Sequence, residues 1–321
     1  MVALSVQIEI AGGLSWARWK RLVQEVDRQS YLGLYCCDHF LPGGEGFTDS
    51  VDIISAFTYL ADHSQRLEFG PLVSPVSFRD PIMLIRQAMT LDNLSDGRMV
   101  LGVGAGWMER EHTSFGYALG DKRTRMARLT EALEVITLLS RHEEPVSFTG
   151  KFYQLQDAKI LPRSPHPNGP RLLIGGSGPQ RTLPLTAKYA DAWNAGGLSP
   201  AAYREKSTML DELIVAAGRE PRAVKRTLMQ PVVCYRNEAE LGRQVQWVGA
   251  RTPGLQGHSP TALLEALRGR SPNVIAGSPS QVIDQIQAYG EVGVEEIMIQ
   301  RLDLDDLEGL QIIAEDVLPH V

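Results

Sequence analysis

The sequence predicts an α/β protein closed into a (β/α)8 TIM barrel, with insertions at its carboxyl-terminal face. Three observations predict it. Eight short apolar runs recur along the chain, most followed by an amphipathic stretch. The length of 321 residues suits one barrel of about 250 residues plus insertions. Glycines gather at the carboxyl ends of several runs, where a barrel opens onto its ligand. Alternation alone leaves an open doubly wound sheet as the alternative.

The elements follow in order. Residues 4–10 read as a buried first strand and 16–30 as a helix with polar residues between its apolar positions. Strand 33–38 and helix 51–62 form the second unit, and strand 67–73 and helix 81–94 the third. Strand 67–73 runs into Pro71 and Pro75, which constrain a strand end rather than join an ordinary ladder. Asn93 to Gly97 supplies the Asn, Ser, Asp and Gly of a turn. Strand 98–104 then carries the near-continuous apolar pattern of a strand buried on both faces. Helix 123–141, strand 171–175, helix 179–189, strand 190–195, helix 200–218 and strands 225–235 and 295–300 complete the circuit. Residues 1–321 form one domain. Residues 245–275, rich in Gly and Pro around an Ala-Leu-Leu-Glu-Ala-Leu turn, are expected as a lid insertion over the mouth. There Arg251, His258 and Arg268 either meet an acidic substrate or are solvated surface.

Composition bounds the class. With 43% hydrophobic and 22% charged residues the chain has enough apolar material for a large core. A net charge of -6 without a long basic run argues against nucleic acid and for a small-molecule substrate. Three cysteines, Cys36 and Cys37 adjacent, make neither a disulfide framework nor a C-x-x-C pair and read as buried strand residues. No run near 20 apolar residues and no cationic leader occurs, so no membrane partner and a cytoplasmic location are expected.

Four rim segments carry the chemistry. Asp38 and His39 end the second strand, pairing an acid with an imidazole that titrates near neutral pH. Alone they better describe a loop-capping Asp beside a surface His. Leu72, Val73 and Ser74 end the third strand. Gly104, Ala105, Gly106 and Trp107 end the fourth, where missing Cβ atoms let a flat ligand approach and Trp107 either stacks on it or plugs the mouth. Gly175, Gly176, Ser177, Gly178 and Arg181 form a glycine-rich turn into a helix, whose amides suit a phosphate. A lone G-x-G is a common turn and lacks the phosphate-loop Lys-Ser/Thr, so each segment is weak by itself.

Taken together and in this order, these segments resemble the bacterial luciferase-like family of flavin and deazaflavin oxidoreductases. The match lies in DHFLP, LVSPVSFRDP (72–81), LSDGRMVLGVGAGWMEREH, GKFYQL (150–155) and LLIGGSGPQRTLPLTAKYADAWN (172–194), and AGSPSQVIDQI resembles the closing helix. The resemblance is nearest to members using the deazaflavin coenzyme F-420, and it implies hydride transfer with a small organic substrate. A reduced-FMN monooxygenase and a non-catalytic flavin-binding protein are the alternatives. It further implies a homodimer, His39 with Asp38 and Trp107 at the reacting centre, and a cis peptide at Leu72-Val73 behind the ring with Ser74 alongside. Gly104, Ala105 and Gly106 would line the ring and ribityl chain, Glu111 and Arg125 its polar chain, and Gly176, Ser177, Gly178 and Arg181 the phosphate. Helix-surface pairing is the competing account of Glu111 and Arg125. In the sugar-phosphate dehydrogenase branch an acid follows G-x-G; here it is Trp107, which disfavours that chemistry.

Overall fold

The computed structural model describes residues 1–321. β1 (Ala3–Ile8) stops two residues short of the apolar run, because Ile10–Gly12 closes into a 3-10 turn ended by Gly13 at φ 99°. α1 (Trp16–Arg28) is capped by Ser15, which accepts from the Arg18 amide, and buries Trp19, Leu22, Val23 and Val26 along one stripe. β2 (Gly33–Cys36) leads to α2 (Ile53–His63), capped by Asp52. β3 (Glu68–Pro71) and the two-residue β4 (Ser74–Pro75) flank Leu72 and Val73. α3 (Pro81–Leu94) begins at Asp80-Pro81, where the carboxylate caps two amides and the proline occupies a position whose N–H would be unused. β5 (Val100–Gly104) follows.

Beyond β5 the chain departs from simple alternation. A short α4 (Glu109–Phe115) precedes α5 (Lys122–Arg141), and an antiparallel hairpin of β6 (Val146–Thr149) and β7 (Gln154–Ala158) comes before β8 (Arg171–Gly175). The hairpin is held to α5 by Glu131, which accepts from the amides of Lys151 at 3.0 Å and Phe152 at 2.7 Å. α6 (Thr182–Tyr189) starts three residues later than the pattern suggested, since residues 176–181 form the glycine turn. β9 (Ala192–Gly196), α7 (Pro200–Ala216) and β10 (Lys225–Cys234) continue the rhythm. α8 (Glu238–Arg251), α9 (Pro260–Arg270), β11 (Ile275–Gly277), α10 (Pro279–Gly290), β12 (Glu296–Arg301) and α11 (Leu307–Asp316) end the chain.

The barrel strands run parallel in the order β3-β2-β1-β12-β10-β9-β8-β5, with β4 beyond β5 and β11 paired to β10. The circle closes where β3 meets β5: Phe69 N–H donates to the Arg98 carbonyl at 3.2 Å, and Phe69 bridges Met99. Two glycines permit that seam. A Cβ on Gly70 would land on the Val100 carbonyl, and one on Gly102 on the Pro71 carbonyl. The main apolar core fills the layer between sheet and helices. Inside the barrel, Tyr35, Leu72, Val100, Leu173, Ala192 and Met298 pack together. Below them lie the ion pairs Arg171–Glu68 (2.9 Å) and Lys225–Glu296 (2.6 Å).

Residues 245–275 are a helical insertion rather than irregular chain. Val245 and Val248 of α8 pack on Leu263, Leu264 and Leu267 of α9 and on Val233 of β10. Arg251 is spent on the carbonyls of Gly12 and Leu302, and Arg268 pairs with Glu265, so neither is a free cation. No helix is long and apolar enough to cross a membrane. Cys36, Cys37 and Cys234 are buried and unpaired, as their strand positions suggested.

Candidate active site

β2 delivers Asp38 and His39 to the rim on one short extension, with different surroundings. Asp38 is buried, and both its oxygens are engaged: the Ser74 hydroxyl donates at 2.7 Å and the Arg79 guanidinium at 2.9 and 2.8 Å. Arg79 also reaches Asp52, the cap of α2, at 3.0 Å. This bidentate clasp ties β2, β4 and two helices together. The clasp holds the Ser74 hydroxyl and, at the edge of a cavity, the Asp38 carboxylate in fixed orientation.

His39 is the group left with a working atom. Its Nδ1 lies 3.1 Å from both oxygens of Glu111, and Glu111 also accepts from the Phe40 amide at 3.1 Å. Glu111 is 1% exposed, so the pair sits in a poorly solvated pocket. Nε2 has no protein partner. Burial opposes the charged imidazolium, but the Glu111 hydrogen bond, with the charges of Glu111, Glu9 and Asp38, outweighs it. The His39 pKa therefore lies above the ordinary 6.5. Trp107, 65% exposed, stands edge-on to the imidazole at 5.7 Å between ring centres. A cavity of about 350 Å³ borders Asp38, His39, Phe47, Thr48 and Arg79. The loop over it is held to α4 by Arg110, which donates to the carbonyls of Gly44 and Gly46.

Glu111, which the resemblance places on a cofactor chain, here bonds the His39 imidazole and the Phe40 amide. The glycines have protein neighbours of their own. Space freed at Gly104 is taken by Val73, whose Cγ2 would lie 2.6 Å from an added Cβ, and space at Gly106 by Ser77. A side chain at either glycine would therefore collide with Val73 or Ser77. Leu72-Val73 is a cis peptide, as anticipated, and Val73 is the residue that packs against Gly102, Gly104 and Gly175. Arg125 donates to the Gly106 carbonyl at 2.9 Å, while its buried Nε has no partner. A second histidine sits behind them: His112 receives the Ser77 hydroxyl at Nε2 (2.7 Å) and gives its Nδ1 proton to the Met108 carbonyl (2.8 Å).

The rim retains a set of unused donors. The amides of Ala105, Gly106 and Trp107 after β5, and of Ser177, Gly178 and Arg181 after β8, meet no protein acceptor. Nine helices have a side-chain cap; α4 and α6, which follow these turns, have none. Trp193 Nε1 instead fixes the turn by donating to the Gly176 carbonyl at 2.7 Å, and Gly176 has φ 115°. The turn before α6, with free amides at Ser177, Gly178 and Arg181, fits an anion, although within α6 Leu183 N–H goes to the Gly178 carbonyl and Pro184 has none; the amides after β5 fit a planar ligand carrying acceptors. Reading the sequence missed Arg79 and Glu9. Arg79 lies within LVSPVSFRDP, yet nothing local says that it clasps Asp38, 41 residues earlier.

The sequence matches the family model for luciferase-like monooxygenase over residues 2–296. It is 27% identical over 320 residues to an F-420-dependent glucose-6-phosphate dehydrogenase of Amycolatopsis mediterranei, covering 94% of each chain. In fold it is similar to the coenzyme F-420-dependent tetrahydromethanopterin reductase of Methanopyrus kandleri (TM-score 0.78, 18% identity, 99% of each chain). It is equally similar to a monooxygenase of Streptomyces bottropensis (TM-score 0.82, 17% identity, 99% of each chain).

Proposed function

Because the chain belongs to the luciferase-like monooxygenase family, we propose that it is an oxidoreductase that uses coenzyme F-420 to exchange hydride with a small organic substrate. The observation that carries this reading is the His39–Glu111 pair, which presents a proton-bearing Nε2 beside two turns of unused amides. Coenzyme F-420, when bound, supplies the two-electron carrier. The uncapped start of α6, Ser177, Gly178 and Arg181 would hold its phosphate, and the amides of Ala105, Gly106 and Trp107 its ring and polar chain. Val73 would support the ring from behind, and Arg125 holds the Gly106 turn in place.

The chain's own residues then handle the proton. Glu111 fixes the imidazole by accepting from Nδ1, so Nε2 delivers a proton to the substrate oxygen in reduction and takes it back in oxidation. Trp107 covers one edge of the ring and limits water. Asp38 acts through structure, since its clasp with Arg79 and Ser74 sets the position of β2's end. We further propose that the α8–α9 pair borders the substrate entrance, and that the chain works as a cytoplasmic homodimer, which its mass in solution tests.

Titration of the purified protein with coenzyme F-420, oxidised FMN and reduced FMN, read by calorimetry, tests the reading. Selective binding of F-420 is the expected result. Selective binding of reduced FMN would favour the monooxygenase reading, which the fold likeness to the Streptomyces bottropensis enzyme keeps open. In the same assay Arg181→Glu should weaken F-420 binding about tenfold or more, because it places a carboxylate where an anion is held. Unchanged affinity would move the phosphate elsewhere.

A further inference from the structure

The wall of the mouth formed by β1 and β12 differs in character from the glycine wall formed by β5 and β8. Glu9, just beyond β1, is partly exposed and has a defined set of partners. Its Oε1 accepts from Gln300 Nε2 at 3.0 Å, and its Oε2 accepts the Cys37 thiol at 2.9 Å. Burial pushes the Cys37 thiol well up, and Glu9 adds to that, so the thiol stays a donor. Beneath, Gln7 is fully buried, with Nε2 given to the Ile8 carbonyl and, at 3.4 Å, to Glu9 Oε1, and with its own Oε1 left without a partner. The open acceptors on this wall are therefore the Glu9 carboxylate and Gln300 Oε1, whose amide nitrogen is the one that bonds Glu9.

Glu9 takes part in no ion pair, and the arginines nearest this wall are engaged with other partners. Arg79 holds Asp38 and Asp52, Arg301 holds Asp306, and Arg18 and Arg21 hold Asp305. Arg251 and Arg110 are spent on backbone carbonyls. A phosphate placed on this wall would face a carboxylate held in no ion pair, in a partly desolvated site, which costs more than the same encounter in water.

We propose that the Glu9–Gln300 wall is the substrate side of the mouth, that it takes an uncharged molecule offering a hydroxyl or N–H donor to Glu9, and that it excludes phosphorylated substrates. This rests on the mouth being the active site. It separates the chain from the glucose-6-phosphate dehydrogenase it is similar to. The acceptor wall lies one residue pair from the imidazole: Cys37 bonds Glu9, and His39 follows two residues on.

Two measurements on one set of samples test it. First, the His39 midpoint is followed by NMR in the protein alone, for the native chain and for Glu9→Gln, with Glu9→Ala as the second variant. The groups facing His39 are Glu111, Glu9, Asp38 with its partner Arg79, and Trp107. Removing the Glu9 charge should move the midpoint to lower pH, and an unchanged midpoint would show that Glu9 does not face this site. Second, glucose-6-phosphate and inorganic phosphate are titrated into the F-420-loaded protein. No saturable binding to the native chain is expected, and several-fold firmer binding to Glu9→Gln. Submillimolar binding of glucose-6-phosphate to the native chain would overturn the proposal. Failure of F-420 to bind would instead fall on the functional reading, while the His39 titration, read without cofactor, still decides whether Glu9 faces the site.

Discussion

His39→Ala is expected to lower kcat by about 10²–10⁴-fold while leaving F-420 affinity within about threefold. The separation follows from geometry: Nε2 is the one imidazole nitrogen not consumed by protein, whereas the unused amides for the cofactor lie on the β5 and β8 turns. Stopped-flow turnover alongside calorimetric binding reads both. Equal losses in the two would make His39 a binding group, and no loss would remove it from the reaction. The pH profile gives a second readout. The folded-state pKa is raised above 6.5, so the imidazolium's contribution to stability is complete below about 6.5 and is lost as pH rises through the folded value. In the reducing direction turnover should fall over that same interval. Glu111→Gln keeps a hydrogen-bonding group but removes the charge, and should shift the fall to lower pH.

Gly70→Ala is expected to destabilise the fold by more than about 4 kcal/mol, or to abolish soluble protein. The added methyl would lie on the Val100 carbonyl, which is backbone and cannot swing aside, within the seam where β3 meets β5. Opening that seam also displaces Leu72 and Val73, so residual folded protein should bind cofactor poorly. Gly43→Ala is the control: its Cβ would meet nothing within 4 Å, and its melting temperature should be unchanged. A Gly70→Ala chain that melts like the native one would mean the barrel closes differently.

Much of the barrel was legible because its signals are local. Strand 171–175 was read with the bounds it has, and the seven other barrel strands were displaced by a few residues at their ends. Helices opening on Asp80-Pro81 and Ser199-Pro200 were found at their starts, since a capping side chain followed by proline satisfies and pre-sets the first turn by itself. The same signal at Ser259-Pro260 marked α9, within a stretch read as a lid because its glycines and prolines outweighed its helical spacing. The hairpin β6–β7 was missed because its strands are only half-buried and rest on Glu131, a long-range contact.

The sequence by itself determined the alternation of strand and helix, the order of the rim segments, the free buried cysteines, and the cis peptide at Leu72-Val73 through family resemblance. Each is written in a short window or an ordered set of windows, where backbone preference and apolar period act between near neighbours. Tertiary structure alone decided which side chains fill the space beside the glycines, that Arg79 clasps Asp38, and that Glu111 bonds His39. Those outcomes depend on which carboxylate a barrel brings to which cation or imidazole. Parallel strands joined by long crossovers place such partners 41 or 72 residues apart, where no periodicity in the sequence records the contact.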